Sequence, residues 1–136
     1  MAMRENSKQS IGQPVRIDGA FEGLAFLADR TPRTERDDYF TTLAPYRDGA
    51  IFIAHYAGAS EWERHRAGDE IVLVLEGSTT IILRIDGVEH RYPLGVRELV
   101  VVPGGVWHRF ETRHEVKVLS VTPQPTDHTA VDPREP

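Results

Sequence analysis

A chain of 136 residues with 40% hydrophobic and 27% charged residues is sized and balanced for one globular domain with a real core. Its formal net charge of -5 argues against nucleic acid or an anionic membrane as the main partner. The absence of cysteine excludes disulfides, thiolate metal sites and cysteine nucleophiles. No apolar run reaches the ~18 residues that span a bilayer, and residues 1–10 lack the apolar stretch of a signal peptide. The expectation is a cytoplasmic protein.

In chain order, residues 1–14 read as a flexible arm, polar and almost without apolar pattern. Residues 15–28 hold short apolar pieces broken by Gly19 and Gly23. Residues 31–38 are charged, contain Pro32, and predict a loop or a single helical turn. From Gly49 onward short β-rich runs alternate with glycine and proline: 50–56, 71–76, 79–85, 89–92, 98–102, 107–111 and 116–121. Asp86-Gly87 between two of them is a two-residue hairpin signal. Residues 123–136 are proline-rich and predict an extended tail over the surface. Short strands at this spacing predict an all-β domain over residues 15–122, an antiparallel sandwich or barrel.

The chemistry-bearing residues gather in two places. If Trp62 to Arg66 is extended, alternation puts Glu63 and His65 on one face and Trp62, Arg64 and Arg66 on the other. Gly68-Asp69 then turns the chain, so Glu70, opening an apolar strand, can face His65. Much later the Pro103-Gly104-Gly105 turn delivers His108 at the start of another strand. Two imidazoles with one or two carboxylates suit a single Fe(II), Mn(II), Zn(II), Ni(II) or Co(II) ion. The competing reading is a pair of hydrogen-bonded histidines without metal, with Glu70 paired to Arg66.

These residues resemble a family. His65, Glu70 and Gly77 follow the spacing of the second half of the first cupin motif, and Pro103, Gly105 and His108 the core of the second. The resemblance covers about residues 49–121 and implies an antiparallel double-stranded β-helix, or jelly-roll barrel, with a metal at its mouth. The first histidine of the motif is replaced by Glu63, which leaves it open as ligand, general base or substrate anchor. Thr112 stands where the family has asparagine, and Gly95 lies further from Pro103 than the motif allows. A rival alignment through Gly49, His55, Glu61 and Gly68 fails, because the residues between Glu61 and Gly68 are too charged for a buried strand.

The expected ligand set is therefore Glu63, His65, Glu70 and His108, with Glu63 as the catalytic candidate. His55 is expected in the pocket or core, and His90, His114 and His128 at the surface. Trp62 and Trp107 are expected to pack away from the site, and Arg64, Arg66 and Arg109 to be solvated or interface charges, with an anion-binding role less favoured. The resemblance implies a metal-dependent enzyme acting on a small polar substrate, of dioxygenase, isomerase or lyase type. The alternative is a non-catalytic module that binds a sugar or acid. A metal-free epimerase would need a histidine–aspartate pair and a tyrosine acid that the sequence does not mark. Exposed strand edges and the family likeness favour a homodimer.

Overall fold

The computed structural model describes residues 12–133. Most of the arm expected over residues 1–14 lies outside them, as does the last part of the C-terminal segment. One short helix, α1 (Ile17–Glu22), precedes ten strands: β1 (Leu27–Arg30), β2 (Phe40–Tyr46), β3 (Gly49–Ala59), β4 (Trp62–His65), β5 (Glu70–Gly77), β6 (Thr79–Ile85), β7 (Val88–Leu94), β8 (Leu99–Val102), β9 (Trp107–Pro123) and β10 (Thr126–Thr129). The all-β jelly-roll architecture is therefore present, and the charged segment 31–38 is a loop.

Strand β9 organises the barrel. Its N-terminal half pairs with β6 and, at Glu63↔His108, with β4. Its C-terminal half lies between β3 and β5. Two sheets result, in the orders β7-β6-β9-β4-β10 and β2-β3-β9-β5-β8, sharing one strand. All pairs are antiparallel except β1 against β3, which is parallel. Alternation on β5 sends Glu70, Val72 and Val74 inward. Val72 and Val74 meet Tyr39, Tyr56, Val116, Val118 and Leu94 in the main core, while Ile81, Leu83 and Val102 form a second cluster.

Several elements differ from the sequence expectation, each for a local reason. The runs 107–111 and 116–121 are one continuous strand. The polar stretch Thr112-Arg113-His114-Glu115 reads as a turn, but it is the corner where β9 passes between sheets, mostly exposed. The partner strands absorb the bend through register shifts beside Gly58 and Gly77. Strand β2 carries Pro45, which an edge strand paired only with β3 tolerates. The C-terminal segment is more than a surface tail, since Thr126–Thr129 pairs with β4. The hairpin at Asp86-Gly87 is formed, both residues at positive φ (52° and 76°) and Ile85 paired with Val88.

Gly77 and Gly87 share φ of +76°, yet a Cβ at Gly77 would lie 2.0 Å from the Glu115 carbonyl oxygen, whereas one at Gly87 would meet nothing within 4 Å. Gly77→Ala is expected to cost about 3 kcal/mol or more, combining left-handed strain with a backbone clash. Gly87→Ala should cost only the left-handed conformation, about 1 kcal/mol. Urea unfolding midpoints of the two variants measure the difference.

Candidate metal centre

The site is assembled by two turns that clasp each other. The turn after β4 carries Asp69, whose carboxylate accepts the Gly104 N–H at 2.8 Å. The Gly105 N–H donates to the His65 carbonyl at 2.9 Å. Gly104 lets the turns approach closely: a Cβ there would stand 3.0 Å from the Gly68 backbone and press the two apart by a few tenths of an ångström. Gly105 takes φ of +83°, which turns the chain into β9 and delivers His108. So the first motif and the second are held in register by main-chain contacts before any side chain is considered.

His65, Glu70 and His108 are all buried, at 3%, 5% and 1% exposure. Glu70 Oε1 lies 3.4 Å from His65 Nε2 and 3.0 Å from His108 Nε2. The imidazole centroids are 5.2 Å apart. Glu63, on β4, joins the histidines: ligand atoms of Glu63, His65 and His108 lie within 4.8 Å of one another.

What surrounds these groups decides their proton state. His108 Nδ1 sits 3.0 Å from the Val106 carbonyl, which can only accept, so Nδ1 carries the hydrogen. His65 Nδ1 is 2.9 Å from Thr126 Oγ1, whose own hydrogen is directed to Gln124 Oε1. Thr122 Oγ1 donates to Glu70 Oε2 at 2.6 Å. Each group is therefore fixed through its outer atom, and the inner atoms, His65 Nε2, His108 Nε2 and Glu70 Oε1, are buried without a hydrogen-bond partner. Three lone pairs converge on one point. Such an arrangement is repulsive unless a proton or a cation sits among them, and the donor set fits a divalent transition metal.

The electrostatics follow from the same geometry. Burial pushes the Glu70 carboxyl up, but when a proton sits among these atoms, hydrogen bonding and charge from His108 and His65 outweigh it and hold it at about 2. For His108 burial pushes down, and Glu70 outweighs it, so the imidazole is raised. For Glu63 burial, and then the charge of Glu70, push the carboxyl up, and the opposing charges of His108, Arg30 and His128 do not offset the upward push.

Glu63, His65 and His108 thus group together, and Glu70 lies against both histidines. Arg66 does not pair with Glu70. It donates to Asp127, as does Arg64, whose guanidinium also lies over the Trp107 ring. Trp62 is buried beneath Arg84 and Arg109 on the side away from the site. His55 is not in the cavity: it lies 2.5 Å from Glu115 and packs on Phe26, outside the barrel. His128 is at the surface as expected. Although exposed, it lines the cavity, paired with Glu61 and 3.5 Å from Glu63. Its in-register position opposite Glu63 depends on β10, which sequence reading missed.

The cavity above the cluster is about 630 Å³ and is lined by Arg30, Tyr39, Tyr56, Glu63, His65 and Glu70 among others. A small β-barrel with two histidines and carboxylates converging beside such a cavity defines a class of metal-site barrels. The chain belongs to the cupin family: the Cupin domain model matches residues 51–122. Similar folds include a cupin-2 domain containing protein from Shewanella frigidimarina (24% identity, TM-score 0.56, covering 67% of this chain and 85% of that one). A hydroquinone 1,2-dioxygenase from Sphingomonas sp. TTNP3 with 4-hydroxybenzoate bound is similar at 17% identity and a TM-score of 0.56 over 68% of this chain and 70% of that one. A hydroquinone 1,2-dioxygenase in complex with Cd2+ and 4-hydroxybenzonitrile matches at 16% identity and a TM-score of 0.56, over 69% of each chain. No curated protein matches the chain.

The lowered Glu70 pKa has a signed consequence for the metal-free protein. A carboxyl depressed from 4.5 to about 2 contributes stability that is complete above pH 4.5 and is lost as pH falls toward 2. Chelator-treated Glu70→Gln should therefore show a flatter decline of unfolding free energy across that window than chelator-treated wild type. Urea titrations at a series of pH values make the comparison. Equal slopes would mean that Glu70 does not interact with the histidines as described.

Proposed function

We propose that this cupin is a metal-dependent enzyme that holds one divalent ion through His65, Glu70 and His108, with Glu63 as a fourth ligand or as general base, and acts on a small polar molecule in the cavity. The observation that carries this reading is the convergence of three buried lone pairs, each fixed from behind by Val106, Thr126 or Thr122. An ion held there would supply a Lewis acid to polarise a substrate oxygen, with coordination positions left for substrate.

The protein's own groups do the rest. Glu70 offsets part of the ion's charge while Thr122 keeps its second oxygen from rotating in. Glu63 has 26% of its side chain exposed and stands between the ligand histidines and His128. Its raised affinity for a proton suits it to accept one at Oε2 from a substrate carbon or hydroxyl, with His128 positioned beside it. Tyr39, Tyr56 and Phe110 line the wall and give the cavity an aromatic side. Support for a small molecule beside the metal comes from a dioxygenase of this fold, in complex with Cd2+ and 4-hydroxybenzonitrile.

Metal content by plasma mass spectrometry, on protein purified without a metal-carrying tag, tests this reading. Wild type should carry near-stoichiometric transition metal, and His65→Ala and His108→Ala should lose it. Thr126→Val should retain the fold but bind metal about 10- to 100-fold more weakly, because a ligand imidazole loses its orienting partner. Glu63→Gln that keeps metal but loses turnover would assign Glu63 as the base; loss of metal would assign it as a ligand. Folded wild type that takes up no added metal would sink the metalloenzyme and leave a non-catalytic sugar- or acid-binding module.

We also infer a homodimer. On the outward face of β5 and β8, Ile71 pairs with Val101 and Leu73 with Leu99, and Ile71, Val101 and Leu99 are 39%, 51% and 56% exposed. Such a row of apolar side chains on a sheet edge favours association. Val101→Glu is expected to give a folded monomer in light scattering where wild type gives a dimer, and a monomeric wild type would refute it.

A further inference from the structure

The cavity contains a cation whose purpose the metal cluster does not explain. Arg30, the last residue of β1, lines the wall and makes no hydrogen bond or ion pair among the described residues. Its guanidinium carbon lies 5.1 Å from the centroid of the Tyr39 ring and 4.6 Å from that of Tyr56. Both rings are buried, at 7% and 2% exposure. Cation–π contact holds the guanidinium in place without using its N–H donors. Several other arginines are held by acids: Arg36 by Asp38, Arg64 and Arg66 by Asp127, Arg84 by Asp132 and Arg109 by Glu111. The three arginines that the sequence offered for anion binding are all taken, and Arg30 was not among them.

We propose that Arg30 anchors the carboxylate of a small monoanionic organic acid whose body lies along the aromatic wall and whose other end reaches the metal cluster. This rests on the metal-site reading for the second contact, while the Arg30 contact stands separately. A guanidinium presents a planar fork that pairs with a carboxylate through two parallel hydrogen bonds. Tyr39, Tyr56, Phe52 and Phe110 supply apolar surface for a compact, ring-sized body. The acids Glu35, Asp37, Glu61, Glu63 and Glu70 line the same cavity, so each further negative charge on the ligand is repelled. A monocarboxylate is favoured over a phosphate for that reason. Arg30 and Glu63 also sense one another electrostatically, which puts the anchor and the candidate base in one cavity.

The test is calorimetric titration with benzoate, benzamide and inorganic phosphate, using wild type, Arg30→Lys and Arg30→Gln, each with its metal content measured. Wild type should bind benzoate in preference to benzamide. Arg30→Gln should lower that preference about tenfold or more, the worth of a charge-assisted pair, with metal content unchanged. Arg30→Lys should fall between, since it keeps the charge and loses the fork. The benzoate-to-benzamide ratio is the informative quantity, because a purely structural loss would weaken both ligands together. An unchanged ratio in Arg30→Gln, no benzoate binding by wild type, or phosphate bound as tightly as benzoate would each overturn the proposal. Failure of the metal-site reading shows instead as metal-free wild type, on which the Arg30 dependence is still measured.

Discussion

Strand β9 must serve two sheets at once, and the site is a consequence of how it does so. A buried strand has to satisfy its backbone on both edges. Over its 17 residues, β9 therefore takes β6 and β4 as neighbours at one end, and β3 and β5 at the other. The change of partners requires a corner, and glycines with positive φ on the strands alongside, Gly58 and Gly77, make room for it. One end of β9 then presents His108 and the other Thr122, which meets Glu70. A single strand thus supplies both a candidate ligand and the group that orients another. Side chains from β4, β5 and β9 converge because the sheets that carry them share a backbone.

The clasp between the two turns adds precision that packing alone would not. Asp69 bonds Gly104, and Gly105 bonds His65, so a displacement of either motif moves the other. The imidazoles and carboxylate are fixed by polar contacts on their outer sides, and their inner atoms are left facing one another. Buried polar groups usually minimise such conflict. Three of the four unpartnered buried side-chain polar atoms among the described residues lie at this one point, which is what supports reading it as a binding centre.

How much of this was legible in the sequence depended on whether a residue announces itself through its own neighbours. His65, Glu70 and His108 did, because a buried strand follows Glu70 and a proline–glycine turn precedes His108. Asp86-Gly87 did, because the dipeptide encodes its own backbone conformation. Strand β10 did not: Thr126-Asp127-His128-Thr129 has no apolar alternation, and its partner β4 is some sixty residues earlier in the chain. With β10 went the place of His128 and the support of Thr126. His55 sits on a strongly apolar strand, yet only pairing register shows that it points outward to Glu115. Arg30 is the hardest case. A free guanidinium is recognised by the acid it lacks, which requires knowing every neighbour in space.

The position of Thr126 has a consequence for the order in which the protein is made. Synthesis runs from the N-terminus, so Glu63, His65 and Glu70 leave the ribosome together, His108 follows, and the hydroxyl that orients His65 comes last. Earlier portions of the chain possess candidate ligands without the strand that aligns them. An ion held at this site would therefore reach its final geometry only after β10 has closed against β4.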